Sequence, residues 1–482
     1  MLGTTLVLAV LAVDFGAETG PVRRELHSSG FGPKICSFPQ RFADDIKSMG
    51  FKAARTHDWA LVNANQRVCD YFHIFPMRDL DASDPKNYFF GPTDLLLKRT
   101  REDMGHDVFF RLGTSIEHSG TNHFNAAIPA DFDKVAEIFA GTVRHYNRGW
   151  ANGFQWDVKY WEIWNEPDGR ANMWCLPEGD KVPDDPKEQE RRDAKRRDLF
   201  VRFFVTALKR LKSEFPEIKV GGPALCFMRE EWFRPLLKAC REAGVAPDFI
   251  SWHHYEEDPD NVILAVDQAR ALCDEYGFIG CELILDEWHY FAISDYDWPD
   301  VASPDPAVFG RILQGPRAHN GIDASCFNLA CLSLFQTSKL DQAYYYGCGI
   351  EGLWGYLDAA KRPHKVFHGL RMFGDFLKRY PQLCATTGEN PEKEPVITLL
   401  AGKSADGLDR GLLVSDYRVR TNELVIAVAG VPADAKVTAL VHDDAHDLDP
   451  ADFSFENGRL VLRKPNDESA AFLVRFQAER GR

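Results

Sequence analysis

The feature that most constrains the fold of this chain is a regular alternation of short β-rich segments and longer helical segments between about residues 27 and 380. Eight apolar, β-rich segments predict strands, at 26–30, 52–57, 107–112, 158–164, 218–222, 248–253, 282–287 and 342–347. Between them, apolar residues recur every three or four positions and predict helices, most clearly at 131–148, 187–214, 230–243 and 262–276. Eight such units predict an α/β fold, a closed (β/α)8 TIM barrel.

The rival architecture for this alternation is an open, doubly wound sheet. It is disfavoured because none of the predicted strands is followed by a glycine-rich phosphate loop. The predicted strands also read as nearly continuous apolar runs, as expected where helices cover both faces of a parallel sheet.

The pattern changes after about residue 383. Six short strands separated by turn-forming residues are predicted at 396–400, 410–414, 423–429, 436–441, 459–463 and 471–476. They predict a C-terminal β-sandwich domain of about 100 residues. Residues 4–15 predict a further strand, which lacks partners in the barrel and is expected to join the sandwich. The predicted domain bounds are 1–18 for the N-terminal strand of the sandwich, 19–382 for the barrel and 383–482 for the rest of the sandwich.

The charge of the 482-residue chain bears on its partners. A formal net charge of -15 disfavours nucleic acid and anionic membrane surfaces, because both require a basic face. The sequence also contains no run of ~20 apolar residues that would predict a membrane span. It leaves the oligomeric state open, with a homo-oligomer among the alternatives.

The cysteines bear on the compartment. All 11 are placed singly, without the paired spacing of a disulfide framework or a zinc site. They predict reduced thiols and a cytoplasmic protein. The apolar segment 1–13 is interpreted as a strand, since no basic residue precedes it and no small-residue cleavage site follows. A secreted form with a processed signal peptide is the alternative.

Two glutamates end predicted strands. Glu166 ends the fourth strand, where Pro167 stops the ladder because proline lacks a backbone N–H. Glu287 ends the seventh strand. The C-terminal strand ends of a barrel form the mouth in which active sites are built. The fourth and seventh strands lie across this mouth from one another, so the two carboxylates can converge.

Paired carboxylates are the groups that glycosidic bond cleavage requires. One protonates the leaving oxygen, and the other attacks the anomeric carbon or activates water. A separation of roughly 5–5.5 Å retains the anomeric configuration, and ~6.5–9.5 Å inverts it. Taken singly, either glutamate could also be an exposed carboxylate near a loop, without a catalytic role. The Asn-Glu-Pro run and the second strand-end glutamate together favour a shared site.

The run Trp161-Glu-Ile-Trp-Asn-Glu-Pro167 resembles the acid/base motif of clan A glycoside hydrolases, most closely glycoside hydrolase family 39. That family includes β-xylosidases and relatives that act on other pyranosides and arabinosides. The resemblance extends over residues 20–380, including 54–59, 250–255 and 285–288. It implies a retaining mechanism with Glu166 as acid/base, Glu287 as nucleophile and Asn165 bound to the sugar 2-hydroxyl.

The resemblance also implies roles for four residues at other strand ends. Tyr255 would orient the nucleophile, and His253 would line the pocket of the bound sugar. Arg55 and His57 would lie beneath that pocket. From the residues alone, Arg55 and His57 either grip sugar hydroxyls or brace the barrel floor as part of a buried ion pair, and His253 is alternatively a core histidine.

Aromatic side chains near the predicted mouth form a further group of candidates. Trp174, Trp288 and Tyr345 are predicted to contact the substrate, and core packing is the alternative for each. Asp286 stands where many relatives carry threonine. Strand alternation predicts that its side chain faces away from the site, on the opposite side from Glu287.

The predicted function is a retaining, exo-acting glycoside hydrolase acting by double displacement on a cell-wall-type oligosaccharide or glycoside, β-xylosidase-like or a related pyranosidase or arabinosidase. An endo-acting glycanase of the same clan is one alternative, and a catalytically silent glycan-binding barrel is another. The sequence has no H-E-x-x-H zinc motif and no G-x-S-x-G nucleophile elbow, and it predicts no metal and no cofactor.

Overall fold

The computed structural model describes residues 11–30, 39–57, 67–116, 126–169, 173–176, 185–301, 303, 305–350, 353–358, 360, 362–388, 396–419 and 421–478. Some predictions fall outside these residues. They are the first part of the predicted N-terminal strand, residues 4–10, and five polar residues for which the sequence leaves substrate contact open. For Asp58 the alternative is a buried ion pair, and for Glu117, His118, Asn122 and His123 it is a polar surface loop.

Eight parallel strands close a barrel in chain order, which confirms the predicted TIM barrel. After a first strand β1 (Leu11–Pro21), the barrel strands are β2 (Ser28–Ser29), β3 (Ala53–Arg55), β4 (Asp107–Leu112), β5 (Tyr160–Ile163), β6 (Lys219–Leu225), β7 (Phe249–Glu256), β8 (Glu282–Tyr290) and β9 (Gln342–Tyr345). Each predicted barrel strand overlaps one of these eight.

The described helices are α1 (Pro39–Ser48), α2 (Tyr71–Ile74), α3 (Gly91–Lys98), α4 (Phe132–Arg148), α5 (Pro186–Glu214), α6 (Glu230–Glu242), α7 (Pro259–Glu275), α8 (Trp298–Val301), α9 (Pro306–Leu313), α10 (Ile322–Phe335) and α11 (Lys365–Arg379). Local chemistry sets their ends. At α4, the Asp131 side chain accepts from the Lys134 N–H, and Gly149 ends the helix at a φ of 70°.

The barrel interior is built in layers, because alternate residues of each strand point inward. The lowest layer is apolar and aromatic, formed by Ala53, Phe109, Tyr160, Phe249, Ile284 and Tyr344. One step toward the mouth, the inward side chains become polar and charged, at Arg55, Glu162, Ser251 and Asp286. The apolar layer therefore closes the barrel, and the charged layer supports the side chains of the mouth.

The second domain consists of β1, β12 (Gln382–Thr387), β13 (Val396–Lys403), β14 (Asp409–Tyr417), β15 (Glu423–Ala429), β16 (Lys436–His442), β17 (Asp447–Pro450), β18 (Asp452–Glu456), β19 (Arg459–Arg463) and β20 (Ala470–Gln477). Their hydrogen-bonded order is β17-β16-β20-β14-β13-β12-β1-β15-β19-β18, and the two halves share one apolar core. This arrangement confirms the predicted C-terminal β-sandwich.

The described part of the N-terminal strand joins the sandwich, as predicted. β1 pairs antiparallel with β12 and parallel with β15, and so links the two halves of the sheet. It continues to Pro21, beyond residue 18, where the first domain segment was predicted to end. A short pair of parallel strands, β10 (Cys348–Ile350) and β11 (Gly355–Leu357), follows the barrel. None of the described helices combines the length and apolar character that a membrane crossing requires.

Candidate active site

Glu166 lies just beyond β5, in a backbone conformation that side chains rarely adopt. Its φ is 44°, and its N–H donates to the Ala224 carbonyl at 2.8 Å. Trp164, two residues earlier, also has a positive φ of 76°. Non-glycine residues in the left-handed region are strained and concentrate at functional sites. The turn leaves the Glu166 carboxylate 22% exposed at the barrel mouth.

Glu287 reaches the same mouth from β8 through an irregularity in the sheet. The pairing of β7 with β8 shifts register between Trp252 and His253, so that Leu285 and Glu287 pair with neighbouring residues of β7. The extra residue on β8 is Asp286. The prediction that Asp286 faces away from Glu287 is therefore wrong, because a bulge interrupts the alternation of side chains. Both carboxylates lie inside the barrel.

His253 joins the two strand-end glutamates. Its Nδ1 lies 2.9 Å from Oε1 of Glu166 and 3.4 Å from Oε2 of Glu287. Because both oxygens contact the same nitrogen, the distance between them is at most the sum of the two contacts, about 6.3 Å. The structure thus brings Glu166, Glu287 and His253 together around one point in the mouth.

The Glu287 carboxylate has donors on both oxygens. Tyr255 donates its hydroxyl hydrogen to Oε2 at 2.7 Å. Nη1 of Arg55 and Nε2 of His57 each lie 2.8 Å from Oε1. Donors on both oxygens fix the orientation of the carboxylate and favour its charged form.

Arg55 lies in the charged layer beneath the mouth, with no exposed side-chain surface. Besides Glu287, it pairs with Glu162 at 2.6 Å and Asp286 at 3.0 Å, and it donates to Oδ1 of Asn165 at 2.7 Å. Two roles were predicted for Arg55, a contact with sugar hydroxyls and a buried ion pair. Because its donors are engaged by these acceptors, it forms the buried ion pair. The structure corrects its prediction as a direct sugar ligand.

Glu162 is a residue of the site that the sequence analysis missed. It is wholly buried, binds Arg55 and accepts from the Ser251 hydroxyl at 2.7 Å. Its signal in the sequence was a charged residue in the middle of an apolar strand, on the inward face of β5.

The proton affinities of the buried groups follow from this arrangement. Burial by itself would raise the pKa of Glu287, but the charges of His253, His57 and Arg55 outweigh it and hold that pKa well below its ordinary value. Burial would lower the pKa of His253, but the carboxylates of Glu287 and Asp286 raise it well above its ordinary value. Burial raises the pKa of Glu162 to about 8, against the opposing charge of Arg55. The site therefore favours an ionised Glu287 and a protonated His253.

Asn165 is wholly buried beside Glu166, and its carbonyl oxygen is engaged by Arg55. Its side-chain nitrogen Nδ2 has no hydrogen-bond partner among the described residues. A buried donor without a partner is costly in a folded protein, and a ligand hydroxyl would satisfy it.

Three predicted aromatic contacts lie elsewhere, and the structure corrects their assignment to the substrate. Trp174 is wholly buried and packs on Phe200 and Phe203 of α5, with ring centroids 5.2 and 5.3 Å away. Trp288 and Tyr345 point outward from the barrel, where their rings pack on each other at 5.3 Å and Trp288 contacts α10. For Trp288 and Tyr345 strand parity decides the outcome, since side chains next to inward-facing ones point toward the helices.

A different aromatic group lies beside Glu287. Tyr346, Trp298 and Trp354 have ring centroids 6.1, 5.2 and 5.5 Å from that of Tyr255. Tyr346 follows Tyr345 and also packs 5.4 Å from the His57 ring. Trp298 is 45% exposed, unusually so for a tryptophan. The sequence singled out the wrong tyrosine of this run, because the end of β9 could not be placed to within one residue.

Within the part of the chain that the structure describes, no group of three or more His, Cys, Asp or Glu side chains is arranged to hold a metal ion.

The sequence of the chain is similar to those of known glycosidases. A beta-xylosidase from Geobacillus stearothermophilus is 32% identical over 311 residues, which are 59% of this chain and 55% of that protein. A beta-xylosidase from Caldicellulosiruptor saccharolyticus is 25% identical over 223 residues, which are 44% of this chain and 38% of that protein. The chain thus matches about half or less of the length of these relatives. No protein-family model matches it.

Solved structures share its architecture along almost the whole chain. A glucosidase from Croceicoccus marinus superposes with a TM-score of 0.74 at 20% identity, covering 98% of this chain and 100% of that one. An alpha-L-arabinofuranosidase from Thermotoga maritima has a TM-score of 0.64 at 13% identity, covering 97% of this chain and 100% of that one. At these identities the likeness shows the fold. The chain therefore shares its fold with these glycosidase structures and is similar in sequence, over part of its length, to beta-xylosidases.

Proposed function

We propose that the chain is a retaining glycoside hydrolase in which Glu166 is the acid/base and Glu287 the nucleophile. The observation that carries this proposal is the placement of His253 Nδ1 within 2.9 Å of one carboxylate and 3.4 Å of the other. The resulting limit of about 6.3 Å between these two oxygens brings the carboxylates close enough to act on one glycosidic bond, and the similarity to the two beta-xylosidases supports retention.

The two carboxylates divide the work of double displacement. Ionised Glu287, oriented by Tyr255, His57 and Arg55, attacks the anomeric carbon and forms a glycosyl ester. Glu166 protonates the departing oxygen, and the free Nδ2 donor of Asn165 binds a sugar hydroxyl. Glu166 then removes a proton from water, which attacks the ester and releases a sugar of unchanged configuration.

We infer that the substrate is a cell-wall-type glycoside cleaved from its end, as by a β-xylosidase of glycoside hydrolase family 39 or a related pyranosidase or arabinosidase. The similarity to two beta-xylosidases supports this substrate class. Digestion of oligosaccharides of increasing length tests it. Release of single sugars supports exo action, and release of internal fragments would show the endo-acting alternative.

A panel of aryl glycosides tests the chemistry. We expect aglycone release by the wild type and a loss of at least ~100-fold in rate for Glu166→Gln and for Glu287→Gln. Azide should restore a Glu287→Ala variant and give a glycosyl azide of inverted configuration. Glu282→Gln, at the opposite end of β8, is the matched control. A wild type that binds oligosaccharides but cleaves none would overturn the proposal in favour of a silent glycan-binding barrel.

We also propose that the protein is cytoplasmic and that it acts without nucleic acid or membrane partners. The described cysteines support a reducing compartment, because nine of them are free thiols and eight of these are buried. Fractionation of producing cells tests the compartment, and recovery of the protein outside the cytoplasm would overturn this part of the proposal.

A further inference from the structure

The side chain with the least expected position in the barrel is that of Asp286. It is wholly buried, and the bulge of β8 turns it into the charged layer next to the proposed nucleophile. A buried carboxylate costs considerable free energy unless it serves cations directly. Its partners should therefore reveal its role.

Asp286 has two cationic neighbours. Its Oδ2 lies 3.0 Å from Nη2 of Arg55 and 3.3 Å from Nε2 of His253. Arg55 has other acidic partners, in Glu162 and Glu287. Nε2 of His253 differs in this respect. Among the described residues, Asp286 is the acidic side chain that lies within ion-pair distance of it.

The two nitrogens of His253 therefore face carboxylates on opposite sides. Nε2 lies within ion-pair distance of Asp286 without a hydrogen bond among the described residues, and Nδ1 faces Glu166 and Glu287. An imidazole ring with carboxylates at both nitrogens is best satisfied as the doubly protonated cation, since both nitrogens then donate.

We propose that Asp286 is a positioning residue that holds His253 as an imidazolium, with Nε2–H directed at Asp286 and Nδ1–H directed at Oε1 of Glu166. This inference rests on the proposed function. Oε1 of Glu166 then accepts a hydrogen bond, so the proton that goes to the leaving oxygen is carried by Oε2. The same positive charge also stabilises the ionised form of Glu287.

The charged groups around His253 set the direction of the expected effect. Among the described residues, the titratable groups that face it or its carboxylate partners include Glu166, Asp286, Glu287, Arg55, His57, Tyr255, Glu162, Asp168 and Cys226. Replacing Asp286 with asparagine removes the negative charge at Nε2 and favours neutral His253. Glu287 then loses the positive charge of His253, which lies 3.4 Å from its Oε2, and the loss of that charge raises the pKa of Glu287.

We expect Asp286→Asn to move the acid limb of the kcat/KM profile to higher pH by about one pH unit, the size of effect that a charge within 4–6 Å has on a carboxyl group. A purely structural role would reduce the rate without moving this limb. The matched control is Asp416→Asn in the sandwich, where an equally buried aspartate pairs with Lys464 at 3.0 Å. The control should leave the limb unchanged.

A measurement independent of catalysis tests the protonation of His253. In wild-type protein labelled with 15N-histidine, the His253 resonances, assigned by their loss in His253→Gln, should be those of an imidazolium at pH 7 and those of a neutral ring in Asp286→Asn. A neutral ring in the wild type, or an unmoved acid limb in a folded Asp286→Asn variant, would overturn the inference. Absence of activity in the wild type would instead overturn the proposed function, and the NMR result would still decide the state of His253.

Discussion

At the scale of single residues, the proposed nucleophile is defined by its donors. Glu287 is almost wholly buried and contacts Tyr255 from the end of β7 and Arg55 and His57 from the end of β3. Each donor favours the charged carboxylate, and the charges of His253, His57 and Arg55 together outweigh the effect of burial on the pKa of Glu287. Removal of one donor should therefore weaken both the orientation and the ionisation of Glu287.

Tyr255→Phe removes the hydroxyl that donates to Oε2 of Glu287 at 2.7 Å. We expect kcat to fall roughly 10²-fold, as for other single donors to a reacting carboxyl or oxyanion. The acid limb of kcat/KM should also move to higher pH, because the charged form of Glu287 loses a hydrogen bond. Steady-state kinetics across pH measure both effects.

The control for this variant is Tyr160→Phe. Tyr160 donates to Glu282 at 3.0 Å, which gives the same pair of residue types at the opposite end of the barrel. We expect it to leave the pH profile of catalysis in place. Equal effects from the two variants would contradict a specific role for Tyr255.

At the scale of elements, β1 shows how a segment far away in the chain completes a domain. Its inward side chains Leu11, Val13 and Phe15 are buried in the sandwich core. It pairs with β12 on one side and β15 on the other, so the two halves of the sheet meet through it. The sandwich thus depends on a strand that precedes the whole barrel.

Phe15→Ala tests this dependence. Phe15 is 1% exposed, and its ring packs 5.6 Å from that of Phe476. We expect the free energy of unfolding of the sandwich to fall by about 3–5 kcal/mol, through lost burial and the cavity left behind. The control is Val425→Ala on β15, where the valine is 40% exposed. This change should alter the free energy of unfolding by less than about 0.5 kcal/mol. Urea unfolding measures both, and equal effects would refute the role of β1.

At the scale of the whole molecule, the sandwich braces the strand ends that carry the site. Arg418, just after β14, pairs with Glu257 at 2.9 Å and Asp323 at 3.1 Å, and it donates to the Tyr290 hydroxyl at 2.8 Å. Glu257 directly follows β7, and Tyr290 ends β8. These contacts hold the ends of the two strands that carry Tyr255 and Glu287, next to the buried helix α10.

Buried neutral histidines predict that the fold loses stability in mild acid. Burial lowers the pKa of six of them below the ordinary value of 6.5, namely His27, His106, His254, His289, His319 and His442. The unfolded chain therefore binds more protons than the folded one below pH 6.5, and stability falls as pH decreases through that value. At pH 5 each histidine contributes a loss on the order of 1–2 kcal/mol.

Four carboxyl groups act in the opposite direction. Burial raises the pKa of Glu162 to about 8, of Asp416 to about 7 and of Asp168 to about 6, and it also raises the pKa of Glu256. Being fewer, they offset only part of the loss. We expect the free energy of unfolding, measured in urea, to fall by several kcal/mol between pH 7 and pH 5. A value that stays constant or rises over this interval would contradict the prediction.

The sequence by itself determined the barrel, the sandwich and the two strands, β5 and β8, that bring Glu166 and Glu287 to the mouth. These features follow from local signals, namely the period of the apolar residues and the proline after Glu166, which act within a few residues of chain. The tertiary structure alone decided that Asp286 shares the interior with Glu287, that Tyr346 rather than Tyr345 faces the site, and that Glu162 holds Arg55. Each depends on how one strand registers against its neighbour, and a bulge reverses side-chain direction without leaving a mark in the sequence of either strand.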